Sequence, residues 1–175
     1  MTKAVLALGS NLGDRIGYLR SAVAALDDFV LAASGVYETP PWGEPDQDAP
    51  SYLNAVVLAV DESDDPAAWL ARARALEEAA GRQRDADRRY APRTLDIDVI
   101  AVWTADGAPV ISDDPELTLP HPRAHLRAFV LRPWLDIQPY AQLPGHGWLY
   151  DLVRTGPVAA DLPDVRPRAD LSLEP

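Results

Sequence analysis

The period of the apolar positions changes several times along the chain, and each change marks an element. Lys3 to Gly9 (KAVLALG) is a short apolar run closed by Gly-Ser-Asn, which predicts a buried strand ending in a turn. From Asp14 the spacing becomes three and four. Ile16, Leu19, Val23, Leu26 and Val30 form the stripe of an amphipathic helix, with Asn11 or Asp14 as its N-cap. Val30 to Glu38 reads as a second strand, stopped by Thr39-Pro40-Pro41. Tyr52 to Val60 (YLNAVVLAV) is filled with β-branched and aromatic residues and holds no breaker, so it is the clearest strand. A second helix is signposted at both ends. Asp65 caps, Pro66 takes the first position, Trp69, Ala73, Leu76 and Ala80 form the stripe, and Gly81 stands at the C′ position. Leu95 to Val102 is the next strand.

The order β-α-β-β-α-β predicts an α+β fold, a ferredoxin-like α/β sandwich on a mainly antiparallel sheet. After Pro109 the pattern is less regular. It gives a short strand at Val110-Ile111 and helical turns over Pro122 to Arg127 and Ala128 to Asp136, so additional C-terminal helices are expected. Thr155 to Pro175 is rich in proline and acidic residues and reads as an extended or poorly ordered tail. The expectation is one domain over residues 1–154 followed by that tail.

Charge narrows the functions. Sixteen Lys and Arg against 27 Asp and Glu leave −11, which argues against an extended nucleic-acid surface but leaves small anions open where cations are local. The sequence has no cysteine, so thiolate metal sites and thiol catalysis are excluded. The start MTKAVLALGSN reads as a strand rather than a leader, and the longest uncharged apolar stretch is too short to cross a bilayer. A soluble, cytoplasmic monomer is the expectation. Lys3 is the only lysine, and it lies in neither a Walker A loop nor a protein-kinase setting, each of which needs one.

Asp96 and Asp98 stand two apart inside a strand, so they share a face while Ile97 and Val99 turn to the core. Their Cβ atoms then lie roughly 6 to 7 Å apart. Two like charges that close are unfavourable without something positive between them, and a hard cation such as Mg²⁺ with phosphate oxygens would supply it. A solvated acidic strand face is the plain alternative. Arg82, Arg84, Arg88, Arg89 and Arg93 lie just ahead. Arginine grips phosphate oxygens with paired donors, so beside the aspartates this segment reads as a lid over bound nucleotide; alone it would read as a charged loop. Asn54 sits beside Tyr52 on an apolar strand face, where it either satisfies neighbouring backbone or reads the edge of a stacked heteroaromatic ring. His121 and His125 have helical spacing, but a zinc site lacks its third ligand, and Pro122 suggests that His121 is an N-cap or an anion contact.

Taken in order, several blocks resemble one family: Gly9-Ser10-Asn11-Leu12-Gly13, Thr39-Pro40-Pro41 with Tyr52-Leu53-Asn54, Arg89-Tyr90-Ala91-Pro92-Arg93-Thr94-Leu95-Asp96-Ile97-Asp98-Val99-Ile100, and Leu119-Pro120-His121-Pro122 with Arg127 and Phe129. The resemblance is to 6-hydroxymethyl-7,8-dihydropterin pyrophosphokinase of folate biosynthesis, and the third block is its most specific part. It implies ATP as cosubstrate, two Mg²⁺ ions and transfer of the terminal diphosphate to the pterin hydroxymethyl group with release of AMP. By position it implies Asp96 and Asp98 as metal ligands and Arg82 and Arg93 as lid arginines. Glu77, Arg84, Thr118, His121 and Arg127 fall at nucleotide positions, and Thr39, Pro40, Trp42, Tyr52, Asn54, Tyr90 and Phe129 at pterin positions. Tyr90 stands where tryptophan is frequent, Arg74 where glutamine is expected and Pro122 where tyrosine is frequent. Judged on the residues alone, a non-catalytic nucleotide or pterin sensor is the rival reading.

Overall fold

The computed structural model describes residues 1–43, 48–81 and 94–174. Asp14 opens α1 (Arg15–Ala25), its carboxylate accepting the Gly17 N–H at 3.1 Å. The helix stops before Asp27-Asp28, whose charges would oppose the negative end of the helix dipole. Val30, which the stripe assigned to the helix, therefore starts a strand. In α2 (Ala67–Ala79) the Asp65 carboxylate accepts the Ala67 N–H at 3.0 Å, Trp69 and Ala73 are buried, and Gly81 takes φ +74° just past the end.

The strand expected over Val30 to Glu38 is two pieces, β2 (Val30–Ala33) and β3 (Tyr37–Thr39), both paired with β4 (Tyr52–Asp61). Ser34 causes the break. Its N–H donates to the Val56 carbonyl, but its hydroxyl, not its carbonyl, accepts the Val56 N–H at 2.9 Å, and Gly35 follows. With β1 (Thr2–Ser10), β5 (Asp96–Thr104) and β10 (Arg166–Pro167) these make one sheet in the order β10-β3-β4-β1-β5, with β2 also against β4 and every pair antiparallel.

Alternation along the central strands gives the sheet two buried faces. Leu6, Leu8, Leu53, Ala55, Val57, Ile97 and Val99 pack under α1 and α2. Val5, Val56, Leu58, Ile100 and Ala101 pack under α3 (Ala128–Ile137), α4 (Leu149–Leu152) and α5 (Gly156–Asp161). Ile100 and Ala101 share a face because the β1–β5 register shifts there: Val5 faces Ala101 while Leu6 faces Val99, leaving Ile100 as a bulge residue.

Two expectations need correction. The short strand at Val110-Ile111 is instead β6 (Ser112–Asp114), which forms a hairpin with β7 (Leu117–Leu119). Val110 only donates its N–H to Val102, and Ile111 is exposed, so this apolar pair has no common face to bury. The C-terminal segment is ordered rather than an extended or poorly ordered tail. After the small hairpin β8 (Gln142–Leu143) and β9 (Gly147–Trp148) come α4, α5, a 3₁₀ turn over Leu162–Asp164, and β10. Its prolines fit where they stand: Pro157 and Pro163 lie in the first turn of a helix and Pro167 on an outer strand, positions that need no N–H. Val158, Val165 and Leu173 are buried. Among the described residues no helix is long and apolar enough to cross a membrane.

Trp69 is fully buried and its indole N–H donates to Thr2 Oγ1 at 3.0 Å, so it ties α2 to the start of β1. Trp69→Ala is expected to destabilise the chain by about 3 to 5 kcal/mol in urea unfolding.

Candidate active site

Across the ladder, Gly9 lies opposite Asn54 on one side and Asp96 on the other, and Ala7 lies opposite Val56 and Asp98. Residues opposite one another share a face, so these side chains project to the α3 side. The helices cover this face only in part. Where their cover ends, Gly9 and the Ala7 methyl of β1 form the floor of a cleft of about 220 Å³. Thr39, Pro40, Trp42, Tyr52, Asn54 and Phe129 line one side; Asp96, Asp98, His121, Arg123 and Arg127 line the other.

The second side is electrostatic. Arg127 Nη1 is 3.3 Å from Asp98 Oδ2, and His121 Nε2 is 4.0 Å from the same oxygen. His121 is pinned twice. Its backbone N–H donates to the carbonyl of the bulge residue Ile100 at 2.7 Å, and its Nδ1 accepts the Arg123 N–H at 3.2 Å. That bond leaves Nε2 as the protonated nitrogen of the neutral ring, pointing to Asp98. Burial, helped by Arg127 and Arg123 and opposed by Asp96, pushes the His121 pKa down to about 4. The N-cap expectation is not met: the Nδ1 bond closes a local turn, and the 3₁₀ turn Ala124–Leu126 that follows has Arg123 at its N-cap position with no side-chain cap. His125 goes elsewhere: its ring stacks on His146 with centroids 4.1 Å apart, so the two helically spaced histidines do not converge.

The first side is shaped for a flat ring. Asn54 Nδ2 donates to Thr39 Oγ1 at 2.7 Å, with both residues buried. Trp42 and Phe129 meet edge to face at 6.3 Å, and the Arg127 guanidinium lies 5.0 Å from the Trp42 ring and 5.6 Å from the Phe129 ring. A Cβ on Gly9 would stand 3.3 Å from Asn54 Oδ1 and 3.4 Å from the Tyr52 ring.

Of the residues singled out in the sequence, the cleft gathers Thr39, Pro40, Trp42, Tyr52, Asn54, Asp96, Asp98, His121, Arg127 and Phe129. Arg82, Arg84, Tyr90 and Arg93 lie outside the described residues. Glu77 and Thr118 do not line the cleft. Glu77 is buried and accepts the Ile97 N–H at 3.1 Å, and the Thr118 hydroxyl donates to the Asp114 carbonyl at 3.0 Å. Sequence reasoning missed Gly9 and Arg123. Gly9 has the same strand parity as Ala7, a signal that becomes useful only once β1 is known to be central.

Comparison with known proteins decides what such a cleft belongs to. A family model described as 7,8-dihydro-6-hydroxymethylpterin-pyrophosphokinase (HPPK) matches residues 5–139. The chain belongs to this family. The HPPK match is close in bacterial relatives named 2-amino-4-hydroxy-6-hydroxymethyldihydropteridine pyrophosphokinase. That of Mycobacterium leprae (strain TN) is 52% identical over 148 residues, covering 82% of this chain and 75% of the relative. That of Mycobacterium tuberculosis (strain ATCC 25618 / H37Rv) is 48% identical over 147 residues, covering 82% and 76%. The HPPK fold recurs in solved structures. Wild-type Plasmodium falciparum HPPK-DHPS with SDX-DHP superposes with TM-score 0.60 at 15% identity, over 87% of this chain and 43% of that one. The chain therefore spans under half the length of that solved chain. HPPK membership also sets aside the rival sensor reading, because the family is one of enzymes.

His121 generates a pH prediction. Above pH 6.5 the ring is neutral whether the chain is folded or not, and it contributes no pH dependence. As pH falls from 6.5 towards 4 the unfolded chain gains a proton that the folded one does not accept, so stability falls by about 3 kcal/mol and then levels off. Urea unfolding from pH 7 to 4 without divalent ions should show this limb, and His121→Asn should flatten it.

Proposed function

We propose how this cleft divides the work of an ATP-dependent pyrophosphokinase of folate biosynthesis, the activity that membership of the HPPK family gives the chain. The reaction is transfer of the terminal diphosphate of ATP to the hydroxymethyl oxygen of 6-hydroxymethyl-7,8-dihydropterin, giving AMP and the pterin diphosphate. One observation carries the assignment: Gly9 has Asn54 on one flank and Asp96 on the other in register. Two strand spacings place a ring-reading amide and a carboxylate pair roughly 10 Å apart over a floor of Gly9 and the Ala7 methyl. A flat heterocycle on the amide side thus directs a substituent at the carboxylates.

Asn54, oriented by Thr39, reads the polar edge of the pterin, and Tyr52, Trp42, Phe129 and Pro40 enclose its faces. Asp96 and Asp98 are the ligands for Mg²⁺, for which hard carboxylate oxygens beside phosphate suit the ion. Two such ions, when bound with ATP, neutralise the phosphates and polarise the group being transferred. Arg127 restrains Asp98 and, with Arg123 and His121, faces the phosphates, His121 acting as a neutral donor through Nε2. Arg82 and Arg93 keep the role the sequence resemblance gives them, stabilising charge on the transferred group, and Arg84, Glu77 and Thr118 that of nucleotide contacts, with Tyr90 on the pterin. The hydroxymethyl oxygen attacks the β-phosphorus, its proton passing to solvent, as the bond to the α-phosphate oxygen breaks and AMP leaves, so catalysis is mainly positioning and electrostatics.

The order β3-β4-β1-β5, with β2 and β3 counted as one interrupted strand and α1 and α2 on one face, supports the ferredoxin-like description. A monomer in the cytoplasm is the working reading, the setting being compatible with the cysteine-free composition.

Chromatography of the nucleotide products from ATP and the reduced pterin alcohol with Mg²⁺ should show AMP; ADP alone would sink the proposal. Asp96→Ala and Asp98→Ala should fold normally and lose about a thousandfold in turnover, as removal of several kcal/mol of metal stabilisation would give. Gly9→Val should raise the KM for the pterin while leaving that for ATP within about twofold, because its side chain would press on Asn54 and Tyr52.

A further inference from the structure

Residues 155–174 lie beyond the span matched by the family model, 5–139, and none of them lines the cleft. They are nevertheless fastened to the strand that supplies Thr39. β10 sets Arg166 opposite Glu38 and Pro167 opposite Tyr37, and the Arg168 N–H donates to the Val36 carbonyl at 2.8 Å. Glu38 gathers three guanidinium groups: Arg15 at 2.7 Å, Arg168 at 3.4 Å and Arg166 at 3.8 Å. Arg168 is itself forked onto Asp170 at 3.0 and 2.9 Å. The segment is held at both ends. Val165 is buried on the α3 side of the sheet, Leu173 is buried under the α1 and α2 side, and Arg20 Nε donates to the Ser172 carbonyl at 2.7 Å. It therefore crosses the sheet edge from one core to the other.

What it crosses is short. β3 has three residues, and only β4 flanks its other side, with Tyr37 opposite Asn54 and Thr39 opposite Tyr52. Without β10, a strand of that length would have one free edge and fray readily. The wall that continues from it has little behind it. A hollow of about 300 Å³ is lined by Thr39–Gly43 and Phe129 together with Asp161, Asp164 and Val165, so on this side the wall is held by its root in β3 and by Trp42 against Phe129 and Arg127. Thr39, at that root, is the hydroxyl that orients Asn54.

We infer that residues 155–174 form a positioning strap: by pairing with β3 and clamping Glu38 with Arg166 and Arg168, they set the Thr39–Trp42 wall and thereby the fit of the flat-ring pocket. The role rests on the reading that this pocket takes the pterin. Arg15 stays beside Glu38 when the strap's arginines are removed, and its hydrogen bond is the main reason the Glu38 carboxyl titrates below its usual range, so the carboxylate is not left alone. Arg166 and Arg168 meet β3, whereas α5 packs on α3 and on the 3₁₀ turn Ala124–Leu126, so removing these two arginines acts on the pterin side and leaves the helical packing beside Arg123 and Arg127 in place.

The test is the full-length double variant Arg166→Ala with Arg168→Ala, compared with the unsubstituted chain by AMP formation at varied pterin and varied ATP. The KM for the pterin should rise by about five- to tenfold, while the KM for ATP and kcat stay within about twofold. The double lysine variant Arg166→Lys with Arg168→Lys should recover most of the loss. An unmoved pterin KM, or a rise in both KM values together with a lower melting temperature, would overturn the strap, since the second is what a merely structural segment gives. If the double variant does not fold, Arg168→Gln takes its place: a rise in the pterin KM alone supports the strap, and an unmoved or a joint rise overturns it. The unsubstituted chain separates the two levels: no AMP from it sinks the reading of the site, whereas AMP from it with a constant KM ratio in the variants sinks only the strap.

Discussion

The cleft depends on a constraint in the central strand. β1 has a strand at each edge and a core against each face, and towards its C-terminal end one face carries the large Leu6 and Leu8 while the other shrinks to Ala7 and Gly9. The large ones hold α1 and α2. The small ones lie where α3 and the helices after it give out. A sheet can present polar chemistry over its middle only where neither helices nor its own bulky residues fill the space, and here both conditions fall at the same end of the same strand.

Arg127 joins the two halves of the site. Its guanidinium meets Asp98 and lies against the Trp42 and Phe129 rings, so the aromatic wall and the carboxylate share one cation. A chain with a net charge of −11 thus keeps two guanidinium groups beside its carboxylate pair, and the flat face of arginine explains why one residue serves both a carboxylate and a ring where an ammonium would serve less well.

Features governed by a local period were legible in the sequence. The shared face of Asp96 and Asp98 follows from alternation alone, as does that of Tyr52 and Asn54, and the stripe and C′ glycine of α2 were readable, with its start one residue later than Pro66. What was not legible depends on partners distant in sequence. The break at Ser34 arises from a hydroxyl replacing a carbonyl in the ladder with Val56, and the order of the C-terminal segment arises from Val165 and Leu173 finding separate cores and Arg166 and Arg168 finding Glu38. Proline and acidic content described that segment's composition and missed its destinations. Gly9 shows the same limit: a glycine near a strand end suggests a turn until its neighbours on both sides are known.

The bulge in β5 has a further meaning. An extra residue in a regular strand would normally turn everything after it to the wrong side of the sheet. Because Ile100 and Ala101 both face the α3 side, Asp98 before the bulge and Val102 after it keep the sides that an uninterrupted strand one residue shorter would give them. The added peptide group is spare with respect to side-chain arrangement, and its carbonyl holds the His121 N–H. A strand one residue shorter would look the same to the hydrophobic pattern and bury the same faces, yet it would have no peg for the histidine. Chain length at this point is thus invisible to folding and visible to chemistry.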